Sequence, residues 1–231
     1  MKTADDFLNG QVILIDKPLH WTSFQVVNKL RWAIKKKFKI KKIKVGHAGT
    51  LDPLATGLLI ICTGKMTKQI NKFQGQVKTY VGSMVLGSTT PSYDLETEID
   101  HTYPIDHIDQ VLIQETTKQF IGSLLQYPPV FSAVKKDGKR LYEFARSGEN
   151  VQVDARPITI FEFEILKCDG TNIDFKVVCS KGTYIRSLAH DFGKALNSGA
   201  YLSELRRTAI GDLKVDQAFS IENYVSSLHS E

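Results

Sequence analysis

The chain has 231 residues, 42% of them hydrophobic, enough to bury about 70–75% of its unfolded surface without disulfides or metal. Thirty Lys plus Arg against 25 Asp plus Glu give a net charge of +5 and a pI near 9.0, a mild excess that suits a polyanionic partner without demanding one. Cys62, Cys168 and Cys179 are an odd number with no C-x-x-C spacing, which argues against a disulfide framework or zinc knuckle and fits a reducing cytosol.

Met1 to Gly10 contains Asp5, Asp6 and Asn9 and lacks the pattern of a signal peptide. Val12 to Ile15 reads as a buried strand ended by Lys17-Pro18. Thr22-Ser23 then cap a helix carrying Val26, Val27, Leu30, Ala33 and Ile34 on one face. Residues 35 to 44 hold seven lysines interleaved with Phe38, Ile40 and Ile43. Two readings of that segment stand side by side: a solvated surface with inward apolar anchors, or a phosphate-binding patch.

Leu58 to Cys62 reads as a buried strand, and as the longest apolar run it falls far below the roughly 20 residues of a membrane-spanning helix. Met66 to Phe73 reads as a short helix, and Lys78 to Leu86 as a strand with Tyr80 and Met84 on one face. Ser88 to Asp94 is read as loop, and Ile108 to Phe120 as a helix stopped by Gly122. Pro128 to Asp154 mixes Lys135, Lys136, Lys139, Arg140 and Arg146 with Phe131, Tyr142 and Phe144, with a helical turn or two at Leu141 to Arg146. Ile158 to Lys167 and Ile173 to Cys179 form a hairpin. Ile185 to Leu196 is a helix, Leu205 to Ile210 a short piece, and a terminal helix lies near Ile221 to Leu228. With no repeat or low-complexity linker, the pattern predicts one continuous α+β domain over residues 1–231.

The stretch richest in chemistry is Gly46 to Gly57 (GHAGTLDPLATG), a single carboxylate among glycines and a proline. Glycines permit φ > 0 and close approach by a ligand, and Pro53 restricts Asp52 to extended backbone, so a stiff loop presents the carboxylate. The competing reading is an ordinary turn. Gly57 to Lys65 is no P-loop, because six residues separate Gly57 from Gly64 and Met66 replaces the required Ser or Thr. The six histidines show no ligand spacing, so neither metal nor nucleotide cofactor is indicated.

The chain resembles the TruB family of tRNA pseudouridine synthases from about Val12 to Phe219. The resemblance rests on Asp16-Lys17-Pro18 with Trp21-Thr22-Ser23, His47 to Gly57, Lys78-Thr79-Tyr80 with Leu86-Gly87, Gln126 to Arg146, Gly182 to Arg186, and Leu205 to Thr208. It implies a mostly antiparallel mixed sheet flanked by helices, an RNA-gripping insertion at 128–154, and a short form without a separate C-terminal RNA-binding domain. It further implies a cytoplasmic enzyme that isomerises uridine 55 in the T arm of tRNA, without cofactor, membrane or required protein partner.

The reaction breaks a glycosidic C–N bond, rotates the base and rejoins it through carbon. It needs a nucleophile or stabiliser, a proton shuttle and a pocket that holds the detached uracil. By resemblance Asp52 is the nucleophile, Arg186 holds it ionised, and Tyr80 stacks on the base and handles the proton. His47 braces the space left by the flipped nucleotide, and Tyr184 and Leu205 line the uracil pocket. Lys17, Lys136 and Arg140 are candidates for substrate contact. Five have ordinary alternatives: Arg186 as a surface-paired arginine, Tyr80 as a core aromatic, His47 as a loop histidine bonded to backbone, and Tyr184 and Leu205 as core residues. Two rivals remain, a tRNA-folding module with dispensable catalysis and an enzyme acting on another structured RNA. At three positions the chain departs from the family pattern: His20 for glycine, Ser92 for threonine and Thr97 for glycine.

Overall fold

A computed structural model describes residues 2–229 except 133, 134, 137, 148, 150 and 152, and describes 135, 136, 140, 142, 145 and 146 by backbone alone. In chain order the first elements are α1 (Ala4–Asn9), β1 (Val12–Lys17), α2 (Ser23–Phe38), β2 (Val45–His47) and β3 (Ala55–Thr63). A 3-10 turn at Gly64–Gln69 leads into α3 (Ile70–Gly75), followed by β4 (Lys78–Leu86), β5 (Ser88–Thr89) and β6 (His101–Thr102). Then come α4 (Gln110–Lys118), β7 (Gly122–Gln126), β8 (Lys135–Lys136), β9 (Lys139–Arg140) and α5 (Leu141–Ser147). The long hairpin of β10 (Arg156–Asp169) and β11 (Asn172–Cys179) precedes α6 (Ile185–Ala195), β12 (Ala200–Ile210), β13 (Leu213–Lys214) and α7 (Ile221–Ser227).

These elements group into two compact units, Met1–Tyr80 with Leu205–Glu231, and Val81–Glu204. Strands β4 and β12 contribute residues to each.

In the first unit the strands run in the order β1-β3-β12-β4, with β2 also on β3 and β13 on β12. β1 pairs antiparallel with β3, Val12 opposite Cys62, whereas β12 pairs parallel with it, Leu205 opposite Ala55 and Arg207 opposite Gly57. β3 is buried along almost its whole length because both of its faces are covered, which is why it reads as a continuous apolar run. One face packs on α2 and α7 through Ile15, Leu59, Ile61, Val26, Leu30, Ile34, Ile221 and Tyr224. The other packs Leu58, Ile60 and Cys62 with Ala48 and Ile210.

Helix α2 starts as its hydroxyls dictate. Thr22 is the N-cap, accepting from the Gln25 amide while the Gln25 side chain accepts from Thr22, a capping box that satisfies two otherwise unpaired donors. Ser23 is left for a different task, described below. The helix ends at Lys39, whose φ is 53°. Phe38 and Ile40 pack against the core, in which Ile43 is buried, so the inward anchors of the lysine-rich segment are present.

In the second unit the order is β12-β4-β11-β10-β7. β10 and β11 form the expected hairpin, antiparallel with two register shifts. Its core is aromatic: Phe163 meets Phe175 and Phe192 edge-on at 5.9 and 5.3 Å, and Phe120 at 6.2 Å. β7 pairs antiparallel with β10, a strand that sequence patterning did not indicate. Gly122 does not merely stop a helix; at φ 105° it opens β7. The supposed short piece from Leu205 is the second half of an 11-residue strand. The helix expected at Met66 to Phe73 divides into a 3-10 turn and α3. The mixed, mostly antiparallel sheet with flanking helices is as expected.

Candidate functional site

The loop between β2 and β3 carries Asp52, and side chains of the first unit fasten it on both sides of that residue. On the N-terminal side the buried Ser23 hydroxyl accepts from the Leu51 amide at 2.8 Å and donates to the Leu51 carbonyl at 3.1 Å. On the C-terminal side the Pro53 carbonyl accepts from the His20 amide at 2.8 Å and lies 3.5 Å from the Lys17 ammonium. Asp52 itself closes a turn, its carbonyl accepting from the Ala55 amide at 3.1 Å. Gly49 takes φ 102°, a conformation open to glycine without strain.

Arg207 holds the same loop from within. It is 1% exposed, and its guanidinium donates to the carbonyls of Leu58 (2.8 Å), Gly49 (3.1 Å) and Thr50 (3.4 Å). A guanidinium suits this place because its rigid planar fork reaches several acceptors at once. Its neighbour Arg206 points to the opposite face of β12 and grips Asp16 bidentately at 3.0 and 2.6 Å.

The electrostatics follow from burial around these cations. Lys17 is completely buried and donates to the carbonyls of Pro18 (2.9 Å) and Trp21 (2.6 Å). Burial pushes its ammonium down to about 8, Asp52 pulls it back up and Arg207 adds to the depression. His47 is lowered from the ordinary histidine value, chiefly by burial and then by Arg207, with a Gly49 backbone bond opposing. Its ring is therefore neutral at neutral pH, with Nδ1 unpartnered among the described residues.

Lys17 and His47 thus lie within electrostatic reach of Arg207, and Asp52 within reach of Lys17. Tyr80 is buried on β4 and Leu205 half-buried on the neighbouring β12. The other two candidates with described side chains belong to the second unit. Arg186 is buried, with Nε 3.6 Å from the Asp94 carboxylate and its terminal nitrogens donating to the carbonyls of Ser92 (3.2 Å) and Phe131 (3.0 Å). Tyr184 precedes α6, and the Gln126 amide clamps its backbone, accepting from its N–H at 2.8 Å and donating to its carbonyl at 3.0 Å. Lys136 and Arg140 sit on the short β8–β9 pair, Lys135 opposite Arg140, but their side chains lie outside the described residues.

Four supporting residues escaped sequence reasoning: Arg207, Asp94, Gln126 and Ser23 in its loop-holding role. Arg207 had one available signal. Two adjacent arginines in a strand point to opposite faces, so one faces inward whenever that face is covered. Among the described residues no cluster of three His, Cys, Asp or Glu is placed to hold a metal, and no helix is long and apolar enough to cross a membrane.

Residues 35–185 match the TruB family pseudouridylate synthase N-terminal domain, and residues 186–229 the tRNA pseudouridylate synthase B C-terminal domain. A Flavobacterium johnsoniae protein named tRNA pseudouridine synthase B is 61% identical over 98% of this chain and 99% of its own length. A Chlorobium luteolum protein of the same name is 47% identical over 93% of this chain and 74% of its own. Among solved structures, a chain in the crystal structure of a Cbf5-Nop10-Gar1 complex superposes with TM-score 0.71 at 30% identity, covering 97% of this chain and 56% of that one; this chain thus spans a little over half of that solved chain. A family match over most of the chain, joined to near full-length relatives well above 30% identity, establishes that the chain belongs to the TruB family of pseudouridylate synthases.

Proposed function

We propose that the protein converts uridine to pseudouridine in tRNA, at position 55 of the T arm, with Asp52 at the reacting centre. The observation that carries this reading is the fastening of the Asp52 loop at Leu51, Pro53, Gly49 and Thr50. A carboxylate that must meet one carbon of a nucleotide gains from backbone that does not have to be ordered when substrate arrives. The substrate assignment draws on the relatives named tRNA pseudouridine synthase B.

In this reading the uridine leaves the stack of its loop, at a cost of a few kcal/mol, and the neutral His47 ring braces the vacated space. Asp52 acts as nucleophile for glycosidic cleavage, Tyr80 stacks on the base and handles the proton, and Arg186 supplies the cation that keeps the carboxylate ionised. Tyr184 and Leu205 line the uracil pocket, and Lys17, Lys136 and Arg140 assist in holding the RNA. The two units serve as one catalytic domain, with 128–154 as the segment that meets the RNA loop. The reaction is an isomerisation within one nucleotide and calls for no cofactor.

The test is pseudouridine mapping on unmodified tRNA incubated with the pure protein and with Asp52→Asn. Wild type should modify one T-arm uridine; the variant should bind the RNA yet modify none, because it keeps size and polarity while losing the charge that covalent chemistry requires. Turnover by the variant, or modification elsewhere in the tRNA, would overturn the assignment.

A further inference from the structure

Residues 17 to 51 contain nine lysines and Arg31 but no Asp or Glu. The whole chain has 30 basic and 25 acidic residues, so everything outside that stretch carries 20 basic against 25 acidic. The positive excess of the protein therefore resides in α2 and the segment after it. Lys17 turns inward, but Lys29, Lys35, Lys36, Lys37, Lys39, Lys41, Lys42 and Lys44 are all exposed. None of these eight makes an ion pair among the described residues.

The helix dipole accounts for only part of this. Cations in the last turn of a helix are favourable, which covers Lys35, Lys36 and Lys37, but not Lys29 or the four lysines beyond the helix. A face that is only solvated normally mixes signs, because like charges within a Debye length of about 8 Å repel. Here the repulsion stands uncompensated by any acid in the segment. The lysines are also not left loose: Phe38, Ile40 and Ile43 anchor residues 38–43 to the core. On the helix, Trp32 is 55% exposed, with the Lys29 and Lys36 ammonium groups 5.8 and 4.8 Å from its ring centroid. The three share one helix face at i, i+3 and i+7, so the ring holds two cations in register by cation–π attraction.

We propose that the outer face of α2 and residues 39–44 form a second RNA-binding surface, taking backbone phosphates of the substrate tRNA outside the T arm. The inference rests on the reading of the protein as a tRNA-modifying enzyme. Geometry ties the surface to the site: Ser23, the first residue of α2, bonds to Leu51 beside Asp52. At about 1.5 Å per helical residue, Lys35, Lys36 and Lys37 in the last turn of α2 lie roughly 20 Å along the axis from Ser23. Phosphates met there belong to the body of the RNA rather than to the reacting nucleotide, and lysine ammonium groups read their charge without reading sequence.

The experiment compares wild type with Lys36→Gln/Lys37→Gln/Lys41→Gln/Lys42→Gln for binding to unmodified tRNA and to an isolated T-arm hairpin across a salt series. Glutamine keeps helix propensity, and matching unfolding midpoints establish that the fold is intact; a variant with only Lys41→Gln/Lys42→Gln, outside the helix, serves should the midpoints differ. Each phosphate that the variant no longer neutralises flattens the slope of log affinity against log salt by about 0.7–0.9. The variant should lose about 10-fold or more in tRNA affinity relative to hairpin affinity, with a shallower slope for tRNA only. An unchanged tRNA slope, or equal weakening on tRNA and hairpin, would overturn the proposal. Binding is read without turnover, so a wild-type protein that binds tRNA but forms no pseudouridine refutes the functional reading and leaves this comparison standing.

Discussion

Gly57 lies directly opposite Arg207 in the parallel pairing of β3 with β12, and a Cβ on Gly57 would stand 2.3 Å from the Arg207 carbonyl oxygen and 2.8 Å from its nitrogen. Both atoms are backbone, so neither can swing aside. Gly57 also has φ 102°, where a side chain adds its own strain. Gly57→Ala should cost roughly 2–5 kcal/mol, combining overpacking with left-handed strain, and should displace the buried guanidinium that holds Gly49 and Thr50. Denaturant unfolding measures the first effect. A variant of wild-type stability would mean that the two strands separate freely.

Ser23→Ala should separate the anchoring of the loop from the binding of RNA. It strands the Leu51 N–H and C=O in a buried setting, at a cost of about 1–3 kcal/mol. The expected kinetic result is a lower kcat with RNA affinity unchanged, since Ser23 is buried and bonds to the loop backbone. Wild-type kcat in a destabilised protein would show that the loop keeps its shape without this pair.

Lys17 gives the protein a pH signature. Its folded value of about 8 lies below the ordinary 10.5, so between these values the unfolded chain binds more protons than the folded one. Stability should therefore rise as pH climbs from about 8 towards 10.5. Lys17→Met should flatten that rise, as read by denaturant unfolding at several pH values. An identical slope in both proteins would show that the ammonium is not depressed.

His20 occupies the left-handed region at φ 64° with an exposed side chain. A non-glycine residue there sacrifices about 1–2 kcal/mol, while glycine forfeits about 0.5–1 in chain entropy. His20→Gly should therefore stabilise by about 0.5–1 kcal/mol and leave the hydrogen bond from the residue 20 N–H to the Pro53 carbonyl in place. A lowered unfolding midpoint would show that the imidazole makes a compensating contact.

Sequence periodicity revealed those elements whose burial is set locally. Helix α2 shows its apolar stripe and its cap, β3 its unbroken apolar run, and β10–β11 its turn at Gly170. Strand β7 stayed hidden because its partner lies some 35 residues on and Gly122 equally well ends a helix or opens a strand. The length of β12 was masked by Arg206-Arg207, which breaks the apolar alternation although Arg207 is buried. At the site, the glycines and Pro53 marked the Asp52 loop, and the family resemblance supplied the remaining candidates. The fasteners were unreadable because serine, glutamine and arginine are surface residues in most sequences, and only the assembled fold brings carbonyls to meet them.

The Gln126 clamp on Tyr184 makes the position of Arg186 a question of strand alignment. Helix α6 has no side-chain cap of its own; its entry is set by an amide 58 residues earlier in the chain, at the end of β7, which pairs with β10 on one side only. A slip of one residue in such a strand exchanges its faces. Gln126 would then give way to Leu125, which has no polar side-chain atom, or to Tyr127, whose single hydroxyl sits at the far end of a ring and replaces neither the amide oxygen nor the amide nitrogen at its own place. Insertions and deletions near β7 should therefore surface as defects at Arg186, two residues beyond the clamp, long before they register as loss of the sheet.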